Sequence, residues 1–322
     1  MTKDLITWHL PPFCLLVPNS RLPGNSPASG SRLYCTYLYY IMPPVPYPKN
    51  SRYFLIVPCA VILLIKIFSL SHALVESMYS SGFFQGFAIL LRKLTGWIPF
   101  SIGDVIYLLA GIWLLLKILK VLILIFKKRM DRRILLNGIR KMIIILLWIY
   151  IVFNIFWGLN YNRRGIAYQL NLSTKYDSSD LKKILVLLLQ KVNTTKHDLV
   201  IQRSTYPGDN ELYQRAHDCY RRMNQIYPFI DYTPVSVKTS LYSTWGNYLG
   251  FTGYYNPFSG EAQVNHTVPK FIMPYTTCHE IAHQLGYAKE DEANFVGYLA
   301  ATSSQDTLFQ YSTYFDLFLY AY

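Results

Sequence analysis

The sequence predicts a membrane protein with about three N-terminal transmembrane helices, then an α+β domain in which a small antiparallel sheet packs on helices. Three observations predict it. Of the 322 residues, 52% are hydrophobic and only 15% charged, whereas an ordinary soluble domain carries about 25% charged residues. Three apolar runs, at 53–70, 105–126 and 142–159, are each close to the roughly 20 residues that cross about 30 Å of hydrocarbon as a helix. From about residue 160 the composition becomes that of a globular domain, with amphipathic periods and turn residues. Together these exclude a disordered chain, a coiled coil and a simple cytosolic enzyme.

Residues 1–50 hold nine of the 17 prolines and no periodic pattern. They are expected to be a disordered cytoplasmic leader, or sequence upstream of the natural start. The first run, from Tyr53, contains Pro58 and Lys66; the third is uncharged. The second carries Lys117 and Lys120, whose long side chains can reach the interface. Between the second and third runs, residues 127–141 hold Lys127, Lys128, Arg129, Arg132, Arg133, Arg140 and Lys141 against Asp131 alone. That basic loop is expected on the cytoplasmic side, which puts everything after residue 160 outside despite Arg163 and Arg164. The net charge of +13 is therefore partly a topology signal, and no nucleic-acid partner is expected. The lipid bilayer is.

Residues 81–104, with Trp97 and Phe100, read as a re-entrant or surface-lying piece on the outer side. In the outer domain (160–322), helices are predicted over 179–192 and 209–227. Residues 235–268 alternate and are rich in glycine and aromatics, predicting the antiparallel sheet, with a hairpin turn at 256–260. Its GEAQVN segment (260–265) is a candidate edge strand for an extended peptide. Helices follow, from Thr276 or Thr277 to Leu285, stopped by Gly286, and from about Glu290 to Ala301. The chain stops straight after the apolar run YFDLFLYAY, so a longer natural C-terminus is expected.

The chemistry is concentrated in Cys278-His279-Glu280-Ile281-Ala282-His283, an H-E-x-x-H pattern. Histidines at i and i+4 share one helix face and can offer imidazole nitrogen to one zinc ion. Glu280 then lies where a general base is needed. A third ligand is sought in Lys289-Glu290-Asp291-Glu292-Ala293-Asn294: Glu290, with Glu292 as the alternative. Five scattered cysteines without a CxxC pair make neither a disulfide framework nor a zinc ribbon. Cys219 and Cys278 are of a kind that can pair in an oxidising compartment. Among residues able to donate to an oxyanion, His266, Tyr287, Tyr298 and Tyr311 read as structural.

The stretch HEIAHQLGYAKEDEANFVGYLA resembles the active site of gluzincin metallopeptidases. The resemblance implies a zinc-peptidase fold, one Zn2+ held by His279, His283 and Glu290, a small residue at Ala293, and Asn294 as a polar support behind a ligating histidine. That class usually has Asp where this chain has Asn294. The metzincin pattern HExxHxxGxxH fails here, because its last position is Lys289. The whole arrangement, over roughly residues 51–322, also resembles a family of bacterial membrane proteins of unknown activity with a zinc-peptidase-like outer domain. It implies a multi-pass protein of the bacterial inner membrane with its C-terminal domain on the periplasmic side. The activity implied is a zinc metallopeptidase cleaving envelope proteins or peptides. The alternative is a non-catalytic pseudopeptidase that binds or senses them; a zinc amidase of cell-wall peptides ranks behind both.

Overall fold

The first apolar run is helical from Tyr53 to Ser69 (α1). Lys66 within it lies 5.7 Å over the Tyr150 ring, a cation–π contact that lowers the cost of a charge among apolar side chains. The computed structural model describes residues 53–322 other than 174 and 176, so the leader expected at 1–50 lies outside the described residues. After α1 the chain turns into α2 (His72–Leu74), a π-helical stretch (Val75–Phe83) and α3 (Phe84–Thr95). A 93° bend separates α1 from this second series.

Helices α4 (Ile102–Phe126) and α5 (Arg132–Phe156) are long and apolar enough to cross a membrane, and the bent pair makes a third span if counted as one. Each has 25 residues, about 37 Å at 1.5 Å per residue. None of the apolar window of α4 is buried, which suits a helix solvated by lipid. The basic loop is shorter than expected. It spans 127–131, and Arg132, Arg133, Arg140 and Lys141 already belong to α5. Asp131 is the reason: its carboxylate accepts the Ile134 N–H at 2.7 Å, an N-cap that starts a helix through good helix formers. The basic turn lies at the ends of α4 and α5 remote from the globular part.

Within the stretch 81–104 expected to be re-entrant or surface-lying, residues 84–95 form a helix, and its bend from α1 is that of a broken span or a re-entrant loop. Phe84, Ala88, Arg92 and Thr95 form the buried face of α3, and α3 packs against the sheet. The four-residue period is legible in the sequence.

Next come a 3-10 turn (Gly158–Asn162), α6 (Gly165–Gln169), α7 (Ser178–Ile201) and α8 (Asp209–Ile226). Helix α7 is fixed at its start by reciprocal Asp177 and Asp180 hydrogen bonds. The sheet is mixed, not antiparallel. Strands β1 (Val237–Thr239), β2 (Gly253–Asn256) and β3 (Glu261–Val264) lie in the order β1-β3-β2. β2 and β3 form the expected hairpin, but β1 runs parallel to β3. The cause is α9 (Ser243–Leu249), which carries the chain past the central place to the far edge. β3 is therefore the buried centre of the sheet, and the edge strand expected at 260–265 is instead β2.

Helices α10 (Met273–Gln284), α11 (Glu290–Ser303) and α12 (Thr307–Ala321) complete the chain. The terminal apolar run thus forms a helix, packed on α7 and α10. One core unites Tyr220 and Met223 of α8, Ala262 and Val264 of β3, Ile281 and Ala282 of α10, and Val296 of α11.

The packed unit takes in both sides of position 160. Glu76, in the π-helical stretch, accepts from Arg163 Nη2 at 2.8 Å and Nε at 3.1 Å, and from the Arg164 N–H at 3.1 Å. Both side chains of this pair are nearly inaccessible. Removing one partner strands the other charge, at a cost of about 3–5 kcal/mol. Glu76→Ala or Arg163→Ala should each lower the unfolding temperature sharply in detergent-solubilised protein; an unchanged temperature would show the pair to be dispensable.

Candidate metal centre

The C-terminal end of α10 shapes the site. Gly286 takes φ +86°; Tyr287 N–H donates to Ala282 O at 3.2 Å and Gly286 N–H to His283 O at 3.0 Å. This is a Schellman ending, which glycine adopts without strain. It returns the Tyr287 carbonyl to His283, whose Nδ1 lies 2.7 Å from it. An Nδ1–H donated there fixes the tautomer and leaves the Nε2 lone pair for a ligand.

The two imidazoles sit 4.7 Å apart, nearly perpendicular. Glu290, the first residue of α11, faces both: its Oε2 is 3.2 Å from His279 Nε2 and its Oε1 3.6 Å from His283 Nε2. The small residues of α11 allow the approach. Ala293 is fully buried, and a Cβ at Gly297 would lie 3.2 Å from His279 Cα. Glu292 points elsewhere. Its carboxylate pairs with Lys289 at 3.2 Å and abuts Gly165, and burial pushes its pKa up. One atom from each of His279, His283 and Glu290 can be chosen so that all three lie within 4.8 Å of one another. Tetrahedral zinc with bonds of about 2.0–2.1 Å has ligand–ligand edges of about 3.3 Å; the two measured separations, 3.2 and 3.6 Å, straddle that value. The donor set, two nitrogens and a carboxylate, also suits zinc.

The electrostatics agree with a cation-seeking cluster. Hydrogen bonds to His279 and His283 hold the Glu290 carboxyl far below the usual range. Burial alone would lower His279, but the bonded Glu290 and nearby Glu280 and Asp316 carry it upward. Glu280 is buried, which raises its carboxyl above the ordinary value against the pull of both histidines. Its Oε2 is buried without a hydrogen-bond partner, an orphan that costs free energy unless a ligand or water satisfies it.

These side chains line a cleft of about 460 Å³ with Trp157, Tyr161, Gly253, Tyr255, Asn294 and Asp316 among its walls. Asn294 accepts from the Tyr275 hydroxyl, on its carbonyl at 3.1 Å and on Oδ1 at 3.2 Å; that is its partnership, in place of the expected bond to a histidine. Asp316 of α12 is the acid that sequence reasoning missed. Burial raises its pKa and the His279 charge opposes this; both residues line the cleft. Its signal was a single acid inside YFDLFLYAY. Tyr161 was also missed; burial and the Glu290 charge raise its pKa, keeping it a protonated donor. Among the four candidates read as structural, Tyr287 donates to Gln169 at 2.8 Å and lies under Arg163. Cys219 and Cys278 are neighbouring free thiols, both buried.

The family described as "Protein of unknown function (DUF3810)" matches residues 79–322, about three quarters of the chain. No curated protein and no solved structure matches it.

Gly253 of β2 is the contact that seats Glu280. A Cβ there would meet Glu280 Oε1 at 2.7 Å and Gln263 O at 2.9 Å. Gly253→Ala should therefore destabilise the protein by about 1–3 kcal/mol through overpacking, read as a lower unfolding temperature. An unchanged temperature would mean that Glu280 moves freely.

Proposed function

We propose that this chain, which belongs to the DUF3810 family, is a membrane-anchored zinc-dependent hydrolase of gluzincin-like design, cleaving peptide bonds of cell-envelope proteins or peptides. The observation that carries the reading is the convergence of His279, His283 and Glu290 beside a buried, unpartnered carboxylate, Glu280. The site holds three protein ligands, and catalytic zinc keeps a fourth position open. When bound there, zinc would supply a Lewis acid for a carbonyl oxygen and lower the pKa of water at that open position.

The chain's own residues then have definable tasks. Glu280 accepts the proton of the attacking water and returns it to the leaving nitrogen, and its raised pKa suits it to both transfers. Tyr161, at the cleft wall, is the phenol available to donate to the developing oxyanion. β2 supplies an edge for an extended peptide. Thr252 O accepts from Asn265 N–H, and Tyr254 and Asn256 follow in the same phase towards β3. By the alternation of an antiparallel ladder, Gly253 and Tyr255 turn their N–H and C=O groups outward. Both residues line the cleft, so a substrate strand paired there passes over the histidines. Trp157 and Tyr255, with rings 5.3 Å apart, give that strand an aromatic wall.

Two measurements test this. Full-length protein in detergent should carry close to one zinc per chain; Glu290→Ala should lower zinc affinity at least about tenfold, and Glu292→Ala should leave it near normal. Full zinc retention in Glu290→Ala sinks the ligand assignment. Glu280→Gln should keep its zinc while turnover of a cleaved peptide falls about 10²–10⁴-fold. Undiminished turnover would remove Glu280 from the chemistry.

A further inference from the structure

The loop between β1 and β2 carries an apolar face that the cleft does not use. Leu241 is 57% exposed, Trp245 68%, Tyr248 84% and Leu249 75%. Residues 239–260 contain no charged side chain. The opposite side of α9 is fixed: a Cβ at Gly246 would meet Phe251 at 2.7 Å, Asn247 Nδ2 donates to Thr267 Oγ1 at 2.9 Å, and Ser243 donates to Ser240 O at 2.7 Å. So the exposed face is a built surface, held rigidly while presenting two aromatic rings and two leucines outward.

Its position relative to α4 decides what covers it. Asp104, in the first turn of α4, accepts the Leu241 N–H on Oδ2 at 2.7 Å. The Tyr242 hydroxyl donates to the Asp104 carbonyl at 2.8 Å. Tyr242, which caps the start of α9, and Trp245 and Leu249 within it are spaced i, i+3, i+7, so they lie along one side of the helix. The face whose first member touches the start of α4 is thus continued by Trp245 and Leu249. From Ile106 onward α4 exposes its apolar side chains, so the level at which it would enter lipid is only a few residues from Asp104. Trp97, 79% exposed, and Phe100 stand in the turn leading into the same helix end. Lys238 ties that turn to β1 by donating to Gly96 O at 2.8 Å.

Exposed Trp and Tyr beside the end of an apolar helix are the pattern of a membrane–water interface, where one end of the ring is apolar and the other wet. We propose that Leu241, Trp245, Tyr248 and Leu249, with Trp97 and Phe100, dip into the surface of the bilayer that α4 enters. The partner of this face is lipid, not protein. Gly250 and Phe251 follow α9 directly and line the cleft, so its mouth then lies at the level of the lipid headgroups. The proposal stands whether or not the site holds zinc.

Tryptophan quenching in full-length protein reconstituted into phospholipid vesicles tests it. Emission of Trp245 is taken as the difference between wild type and Trp245→Phe. Phospholipids brominated close to the glycerol should remove most of that difference emission; those brominated near the chain ends should remove less. A second reporter, Tyr248→Trp in the Trp245→Phe background, gives the same reading at the most exposed position of the helix. Difference emission that neither lipid quenches overturns the proposal. If that unquenched emission has the wavelength of a water-exposed indole, the face is free; if it is blue-shifted, a second copy or another protein covers it. Zinc content measured on the same samples separates failure here from failure of the hydrolase reading.

Discussion

The structure depends on how the end of α10 is satisfied. A helix leaves its last four carbonyls without intrahelical partners; the Schellman ending serves Ala282 and His283, and the carbonyls from His283 to Gly286 belong to buried residues. Side chains from residues 85–163 supply donors. Trp157 Nε1 donates to His283 O at 3.0 Å, Arg92 to Gln284 O at 3.3 Å, Gln85 to Leu285 O at 3.4 Å and Arg163 to Gly286 O at 3.1 Å. Two of these donors are cations, which also favour the negative end of the helix dipole. The helix carrying both histidines is therefore anchored on residues that lie far before it in sequence. Arg163 itself is satisfied twice over: Glu76 neutralises it, and the α10 ending uses its remaining donor.

With α10 fixed, the site needs only one further approach. The small side chains on α11 let that helix lie close to His279, and its first residue then falls between the imidazoles. A carboxylate at the start of a helix is also favoured by the positive end of that helix's dipole. Glu290 is 73% exposed as a side chain whereas the histidines are nearly buried, so the cluster is open on the glutamate side. Glu280 is walled in by β2. One acid is thus accessible and charged, and the other is secluded and easily protonated, a division that environment alone imposes on two glutamates ten residues apart.

Much of this was legible in the sequence, for identifiable reasons. The apolar runs, the helix at 209–226, the hairpin at 253–264 and the H-E-x-x-H helix follow from local periodicity, caps and turn residues, which act over a few residues. The priority of Glu290 over Glu292 rested on likeness to a known pattern; Glu290 is the one of the two that lies beside both imidazoles. What local signals could not give is non-local. Alternation across 241–250 looked like strand, but the Tyr242 O to Gly246 N–H bond and Gly250 at φ +78° close a helix there, which places β3 rather than β2 in the centre. Arg92 is buried because Gln284 and Thr233, far off in sequence, offer it carbonyls. Asp316 and Tyr161 approach the site from opposite ends of the domain, and nothing at short range connects either of them to His279.

The cleft is bounded by parts tied to two different apolar helices. Its floor, α10, is held by Trp157 at the end of α5. Its wall is held by α4: Glu261 of β3 accepts the Gly103 N–H at 2.7 Å and the Ile102 N–H at 3.2 Å, and the Tyr254 hydroxyl of β2 donates to Asp104. These are carboxylates at a helix start, the arrangement the helix dipole favours, and burial makes them costly to leave unpaired. Floor and wall also touch directly, through Glu280 against Gly253 and Trp157 against Tyr255. That direct packing, with the pairing of β2 and β3, sets the distance between β2 and the histidines, and the two apolar helices brace it from either side. Each side of the cleft thus ends in a hydrogen bond at a different apolar helix, the floor at Trp157 beyond α5 and the wall at the start of α4.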